Sequence, residues 1–192
     1  MRSGLALPPS VEERLSGWVR IQERRAAAPA RIQPRPCVTI SRQFGCEGFP
    51  LCLRLQQLLE QASGEPWQIF DKIFIEKLAQ DEEAALLMLR ELEDPARYLE
   101  GFGFHPRGAV TRDQAFARMA VSVLRFAQDG NAIIVGRAGA ILCRNLENGF
   151  HFRLEASREW RVAGLARRMG IGCEEAEDLE RTQSRLREHF VR

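Results

Sequence analysis

A short β-branched run, CVTIS at 37–41, passes straight into a glycine loop, RQFGCEGFP at 42–50, and then into the leucine-rich pattern LCLRLQQLLEQ. A strand feeding a helix through a short loop points to an α/β architecture. It also aims several backbone N–H groups, together with the helix dipole, at one point, which makes an anion site. Gly45 and Gly48 permit backbone conformations and close approaches that other residues resist. Taken alone, the loop reads equally well as a tight strand–helix turn. Pro50 suits the first turn of the helix, where a missing N–H costs nothing. The loop departs from the pattern GxxxxGK[ST]. No lysine precedes Lys72, Phe49 and Pro50 stand where a hydroxyl would hold Mg²⁺, and Glu47 adds a carboxylate. Arg42 is the nearest cation.

WQIFD at 67–71, AIIVG at 132–136 and HFRLE at 151–155 read as further strands. Helical patterns lie between them. Leu51, Leu55, Leu58 and Leu59 mark the inner face of the first, and KIFIEKLA and EEAALLMLREL follow the second strand. EGFGFHPRG reads as a loop. The next helix turns Phe116, Met119, Ala120, Val123, Leu124 and Ala127 inward, opens on a Thr111–Gln114 capping box and closes at Asp129-Gly130-Asn131. SREWRVAGLARRMG, capped by Ser157 and closed by Gly170, follows the fourth strand, and a charged helix comes last. This alternation predicts a parallel sheet covered on both faces. Ligands of such sheets bind at the carboxyl ends of the strands. The glycine loop, Asp71 and Arg137 all fall there.

Residues 10–25 read as an amphipathic helix, with Ser10 as N-cap and Val11, Leu15, Trp18 and Ile21 or Gln22 along one stripe. Pro29, Pro34 and Pro36 make the following stretch an extended linker. Residues 1–36 are therefore expected to form an N-terminal helical arm and linker, and 37–192 the domain. The stripe needs a surface, on its own domain or on a partner, and a homodimer through this helix is one such arrangement. A formal charge of +2 argues against a nucleic-acid partner. No apolar run approaches a membrane span and the N-terminus lacks a signal-peptide core, so the expectation is a cytoplasmic protein with no membrane partner. Cys37, Cys46, Cys52, Cys143 and Cys173 are odd in number and include no CxxC pair, against both a disulfide framework and a zinc site. His105, His151 and His189 are scattered, so no metal site built by the protein alone is expected. Cys46 reads as a reactive loop thiol or, more plainly, as a small loop residue. Trp67 and Trp160 read as packing residues rather than base-stacking platforms.

ISRQFGCEG, FDK at 70–72, IIVGRAGAIL at 133–142, and HFRLEASREWRVAGLARRMGI with EAEDLERTQSR together resemble the cytidylate kinase-like family of P-loop proteins, over roughly residues 37–190. The resemblance implies a nucleoside monophosphate kinase fold: a P-loop NTPase-like parallel sheet with helices on both faces, a helical acceptor-binding region and an arginine-bearing lid. It implies ATP with Mg²⁺ as cofactor and nucleotides as substrates, a pyrimidine monophosphate among them. By position, Ser41, Arg42, Gly45, Cys46 and Gly48 match the phosphate-loop pattern. Asp71 matches an acid that contacts substrate or a Mg²⁺-bound water, and Arg137 an arginine that approaches the acceptor phosphate. Arg181 and Arg185, four apart on one helix face, fall in the lid-like segment as catalytic arginines. With Glu177 and Glu180 nearby, they read as well as salt-bridge partners. Glu47 stands where the family has a glycine, Phe49 where it has a basic residue and Gln183 where it has an acid.

Phosphoryl transfer is mostly positioning and charge neutralisation, which planar guanidinium groups suit. The expected function is ATP-dependent phosphoryl transfer to a nucleoside monophosphate. The alternative is a catalytically impaired kinase-like module with a regulatory or scaffolding role, motivated by Glu47 and Phe49. The sequence is expected to stop at or within the lid helix, short of the usual last strand. That would leave a sheet edge for the N-terminal arm or a second subunit to cover.

Overall fold

The computed structural model describes residues 9–26, 35–80, 112–136 and 138–191. The elements are α1 (Val11–Ala26), β1 (Cys37–Arg42), α2 (Gly48–Ser63), β2 (Gln68–Phe70), α3 (Lys72–Gln80), α4 (Arg112–Asp129), β3 (Ala132–Val135), α5 (Gly139–Leu142), β4 (Gly149–Leu154), α6 (Arg158–Met169) and α7 (Cys173–Val191). Thr111, the EEAALLMLREL stretch and the EGFGFHPRG loop lie outside the described residues.

The strands form one four-stranded, all-parallel sheet in the order β2-β3-β1-β4. Side chains alternate between its faces as strand geometry requires. Cys37, Phe70, Ala132 and Ile134 turn to one face, with α1, α3, α4 and α5. Val38, Ile40, Ile69, Ile133 and Val135 turn to the other, under α2. β1 and β3 are central and buried on both faces, which explains why β3 is apolar throughout and why Thr39 is the one polar residue of Cys37–Ile40, its hydroxyl bonded to His151 Nδ1 at 2.7 Å.

The inner face of α2 differs from the leucine stripe expected of it. Leu51 and Leu58 point to solvent, and the helix packs through Gly48, Cys52, Leu55 and Leu59 instead. That set follows the helical spacing i, i+4, i+7, i+11, so the small residues Gly48 and Cys52 set how closely α2 approaches the sheet.

The stripe on α1 is spent within the chain. Leu15 and Trp18 join the same buried cluster as Phe70 and Phe126, with Trp18 edge-on to Phe126. A homodimer through this helix would have to use its outer face. Ser10 and Glu13 bond reciprocally across the first turn of α1, a capping box. α1 covers the β2 edge: Arg14 donates to Ile69 O at 2.6 Å. The opposite edge, β4, is therefore not the one the arm covers, and Phe150 and Phe152 there are each 55% exposed. No helix among the described residues is long and apolar enough to cross a membrane.

Candidate phosphate site at the strand ends

Residues 43–47 turn the chain from β1 into α2 at the carboxyl end of the sheet. Gln43 N–H bonds Leu154 O at 3.1 Å, extending the β1–β4 ladder by one step. Its side-chain oxygen accepts from Ala156 N–H at 3.1 Å. Gly45 has a φ of +89° and lies against α6, where a Cβ would stand 2.8 Å from Arg161 Cβ. Glycine meets both the dihedral and the close approach. Cys46 N–H and Gly48 N–H turn inward, to Gln43 O at 3.3 Å and Cys46 O at 2.9 Å. Cys46 Sγ lies 3.8 Å from Leu154 O, and Ser41 donates to Phe152 O at 3.2 Å. Both of these side chains thus face β4.

Arg42 runs the other way. Its Cδ lies 3.5 Å from where a Cβ on Gly48 would be, and its guanidinium rests on Gly136, just beyond β3. Gly136 has a φ of +74°, and its N–H bonds Ile40 O at 2.9 Å. A side chain at 136 would take the space of the guanidinium. Two glycines therefore cradle one cation at the carboxyl ends of β1 and β3. The chain leaves these adjacent strands in opposite directions, β1 toward β2 and β3 toward β4. That reversal opens the crevice where such sheets bind ligands.

Asp71 follows β2 and caps α3, its Oδ1 accepting from Phe74 N–H at 2.9 Å. The same oxygen accepts from Arg14 Nη2 at 3.1 Å. Both side chains are largely buried, at 9% and 15% exposure. The Arg14 guanidinium also lies 5.2 Å from the Phe49 ring centre and 5.3 Å from that of Phe74. Cys52 stands behind this corner. Burial pushes its thiol up to about 11, with Arg42 opposing the rise and Asp71 adding to it. The charges of Arg42 and Asp71 thus act on one corner of the sheet.

α6 closes the loop from the far side. Arg168 donates to Glu47 Oε1 at 2.6 Å and to Gly45 O at 2.9 Å, and Arg167 reaches the same Glu47 oxygen at 3.2 Å. Arg161 donates to Phe44 O at 3.1 Å and Ala156 O at 3.1 Å, and pairs with buried Glu180 of α7. Burial pushes the Glu180 carboxyl up, but hydrogen bonds from Ser184 and Arg161 outweigh it and hold the group below the usual carboxylate range. Arg161, Arg167 and Arg168 therefore join the loop to α6, and Arg161, with Arg158 on Glu177 and Glu180, joins α6 to α7.

The structure brings Arg42, Gly48 and Asp71 to the strand ends, with Gly45 and Cys46 in the loop beside them. Arg137 lies outside the described residues, although its neighbours Gly136 and Ala138 both take left-handed dihedrals. Arg181 pairs with Asp178 on its own helix, and Arg185 is exposed. Among the described residues, no hydrogen bond or ion pair joins either one to the loop. Trp67 is buried as expected, whereas Trp160 stands 49% exposed on the outer face of α6. It escaped the core because α6 packs through Val162 and Leu165.

Sequence reasoning missed Arg14, Arg161, Arg167 and Arg168. The seven-residue spacing of Arg161 and Arg168, two helical turns on one face, was a usable signal. Arg14 offered none, because its partner Asp71 lies 57 positions away.

Residues 37–192 match the cytidylate kinase-like family. No curated protein matches the chain. Among solved structures, an uncharacterized protein from Eubacterium ventriosum is similar, at 16% identity and a TM-score of 0.53. The match covers 82% of this chain and 78% of that one.

Proposed function

The chain belongs to the cytidylate kinase-like family, and on that premise we propose that it is a nucleotide-binding phosphotransferase of the P-loop nucleoside monophosphate kinase type. The observation that carries the reading is the Arg42 guanidinium cradled by Gly48 and Gly136. It supplies a fixed cation in a loop that has no lysine, at the crevice between β1 and β3. Phosphates of ATP would lie along the loop against Arg42, with Ser41, Gly45, Cys46 and Gly48 shaping the cradle. Arg137 would face the acceptor phosphate, and Arg181 and Arg185 would approach when nucleotide draws α7 inward. The reaction breaks the bond between the β–γ bridging oxygen and the γ-phosphorus and forms one from an acceptor phosphate oxygen to that phosphorus.

Mg²⁺ would enter this site as a companion of the nucleotide. Among the described residues no cluster of three or more His, Cys, Asp or Glu could hold a metal by itself. Asp71 is the carboxylate at the strand ends that would meet its hydration shell. When bound, the ion would neutralise phosphate charge. The residues of the chain bind, orient and exclude water.

A coupled assay over the common nucleoside monophosphates with ATP and Mg²⁺ tests this. Turnover with a pyrimidine monophosphate, lost in Arg137→Ala, is expected. No turnover with any acceptor removes the reading. A second reading, a kinase-like module without turnover, is favoured by Phe49 and by Glu47 lying on Arg167 and Arg168. Nucleotide binding by calorimetry without turnover would select it.

A further inference from the structure

We infer that the β4 edge and the apolar groove beside it form the interface of a two-fold homodimer, in which β4 of one copy pairs antiparallel with β4 of the other. Phe150 and Phe152 pair with Val38 and Ile40 of β1, so they point to the sheet face that α2 covers. On α2, Leu53 and Gln56 flank the cleft beside α1 and β2. Leu51 and Leu58 lie on the other flank of its inner face, toward β4. They are 45% and 46% exposed, and Phe150 and Phe152 are 55% exposed each. Four large apolar side chains thus line one groove between α2 and the sheet edge, with Leu154 at its end.

The backbone of β4 selects the partner. Cys37 N–H bonds Asn148 O and Gln43 N–H bonds Leu154 O. The even-numbered residues of β4 therefore turn their backbone groups to β1, and those of His151 and Arg153 turn outward. Among the described residues β4 has one strand neighbour, β1. A second strand completes the outward groups, which a helix laid in the groove would not do. Another copy of this chain brings such a strand. With the two-fold axis at Phe152, His151 faces the partner's Arg153 and exchanges backbone hydrogen bonds with it. Phe152 meets its own counterpart, Phe150 meets the partner's Leu154, and residues 150–154 overlap fully. The apolar area suits a dimer. The four side chains leave about 350 Å² of apolar surface per copy, and a small stable interface of about 1,200 Å² needs about 700 Å² from the two copies together. Pairing uses the β4 edge, and α1 covers the β2 edge, so assembly closes at two. At a formal charge of +2 per chain, two copies repel little.

Light scattering of the full chain after size exclusion, at up to about 100 μM, tests the assignment. Wild type is expected as a dimer, and Phe152→Lys and Arg153→Pro as monomers. The lysine puts like charges on the axis, and the proline removes an outward N–H while leaving the ladder to β1 intact. Both positions are exposed, so both variants are expected to keep the wild-type circular dichroism spectrum. Phe152→Cys tests the register, in a Cys173→Ser background because Cys173 is exposed. The axis sets the two introduced thiols in a non-hydrogen-bonded pair with about 4.5 Å between Cα atoms, within reach of a disulfide when oxidised glutathione is added. A covalent dimer on a non-reducing gel is expected, and none from Phe150→Cys, which faces Leu154. A monomeric wild type or an assembly larger than two would overturn the inference. So would a dimer that survives Phe152→Lys and Arg153→Pro, or equal cross-linking of the two cysteine variants.

Discussion

Arg14 and Asp71 form a buried ion pair, Nη2 to Oδ1 at 3.1 Å, that ties the N-terminal helix to the carboxyl end of β2. Asp71 was expected to face a ligand, and it does stand at the strand ends, but it already serves α3 as a cap and α1 as an anchor. Removing one partner of such a pair leaves an uncompensated charge. Arg14→Gln should therefore cost about 3 kcal/mol of unfolding free energy, read from urea denaturation. The double variant Arg14→Gln with Asp71→Asn should cost less than the sum of the single changes, by about 1 kcal/mol or more. Strict additivity would mean that the pair contributes nothing.

Trp18 tests whether α1 belongs to the core. It is buried, touches Phe126 edge-on and shares a cluster with the central strands. Trp18→Ala should lower stability by about 3–5 kcal/mol, the range for a large buried aromatic. Thermal unfolding should stay a single transition shifted down. An unchanged midpoint would show that the helix docks without supporting the fold.

Acid should loosen the contact between α6 and α7 first. Glu180 has a folded-state pKa below its ordinary value of 4.5. A depressed carboxylate contributes stability that is present above its unfolded pKa and lost as pH falls through its folded one. Unfolding free energy should thus fall as pH drops below about 4.5, and Glu180→Gln should flatten that fall. At neutral pH the same variant should cost about 3 kcal/mol by stranding Arg161. A pH profile of the variant parallel to that of the wild type would contradict this.

Gly136→Ala probes the cradle of Arg42. The left-handed dihedral alone costs an alanine about 1 kcal/mol, and the new methyl takes the space of the guanidinium. The variant should remain folded, lose about 1–2 kcal/mol, and bind phosphate-bearing ligands more weakly. Wild-type affinity in a folded Gly136→Ala chain would show that the position of Arg42 is irrelevant to binding.

The central strand β3 was legible because Ile133 and Ile134, on opposite faces of the sheet, are both buried and must both be apolar. The caps at Ser10 and Ser157 were legible because they are local hydrogen bonds, three residues long. On α2, Leu55 and Leu59 pack inward as expected while Leu51 and Leu58 do not, because leucine is the louder signal and the small residues Gly48 and Cys52 share the inner face. The site was half legible. Glycines before a helix announce a loop, and Arg42 is the last strand residue before it. Gly136 against Arg42, Arg14 on Asp71 and Arg168 on Gly45 and Glu47 are tertiary contacts between elements far apart in sequence, which no local pattern encodes. The sequence shows Glu47 as a carboxylate in the loop, but its partners Arg167 and Arg168 lie 120 and 121 positions away on α6.

The most direct test of the phosphate site is the affinity of the full chain for ATP with Mg²⁺, compared between wild type and Arg42→Gln by calorimetry. If the cradled guanidinium replaces the missing lysine, wild type binds and Arg42→Gln, still folded by circular dichroism, loses at least about tenfold in affinity, the scale of one charge-assisted contact. Equal affinity in the two chains, or no binding by either, would contradict the account.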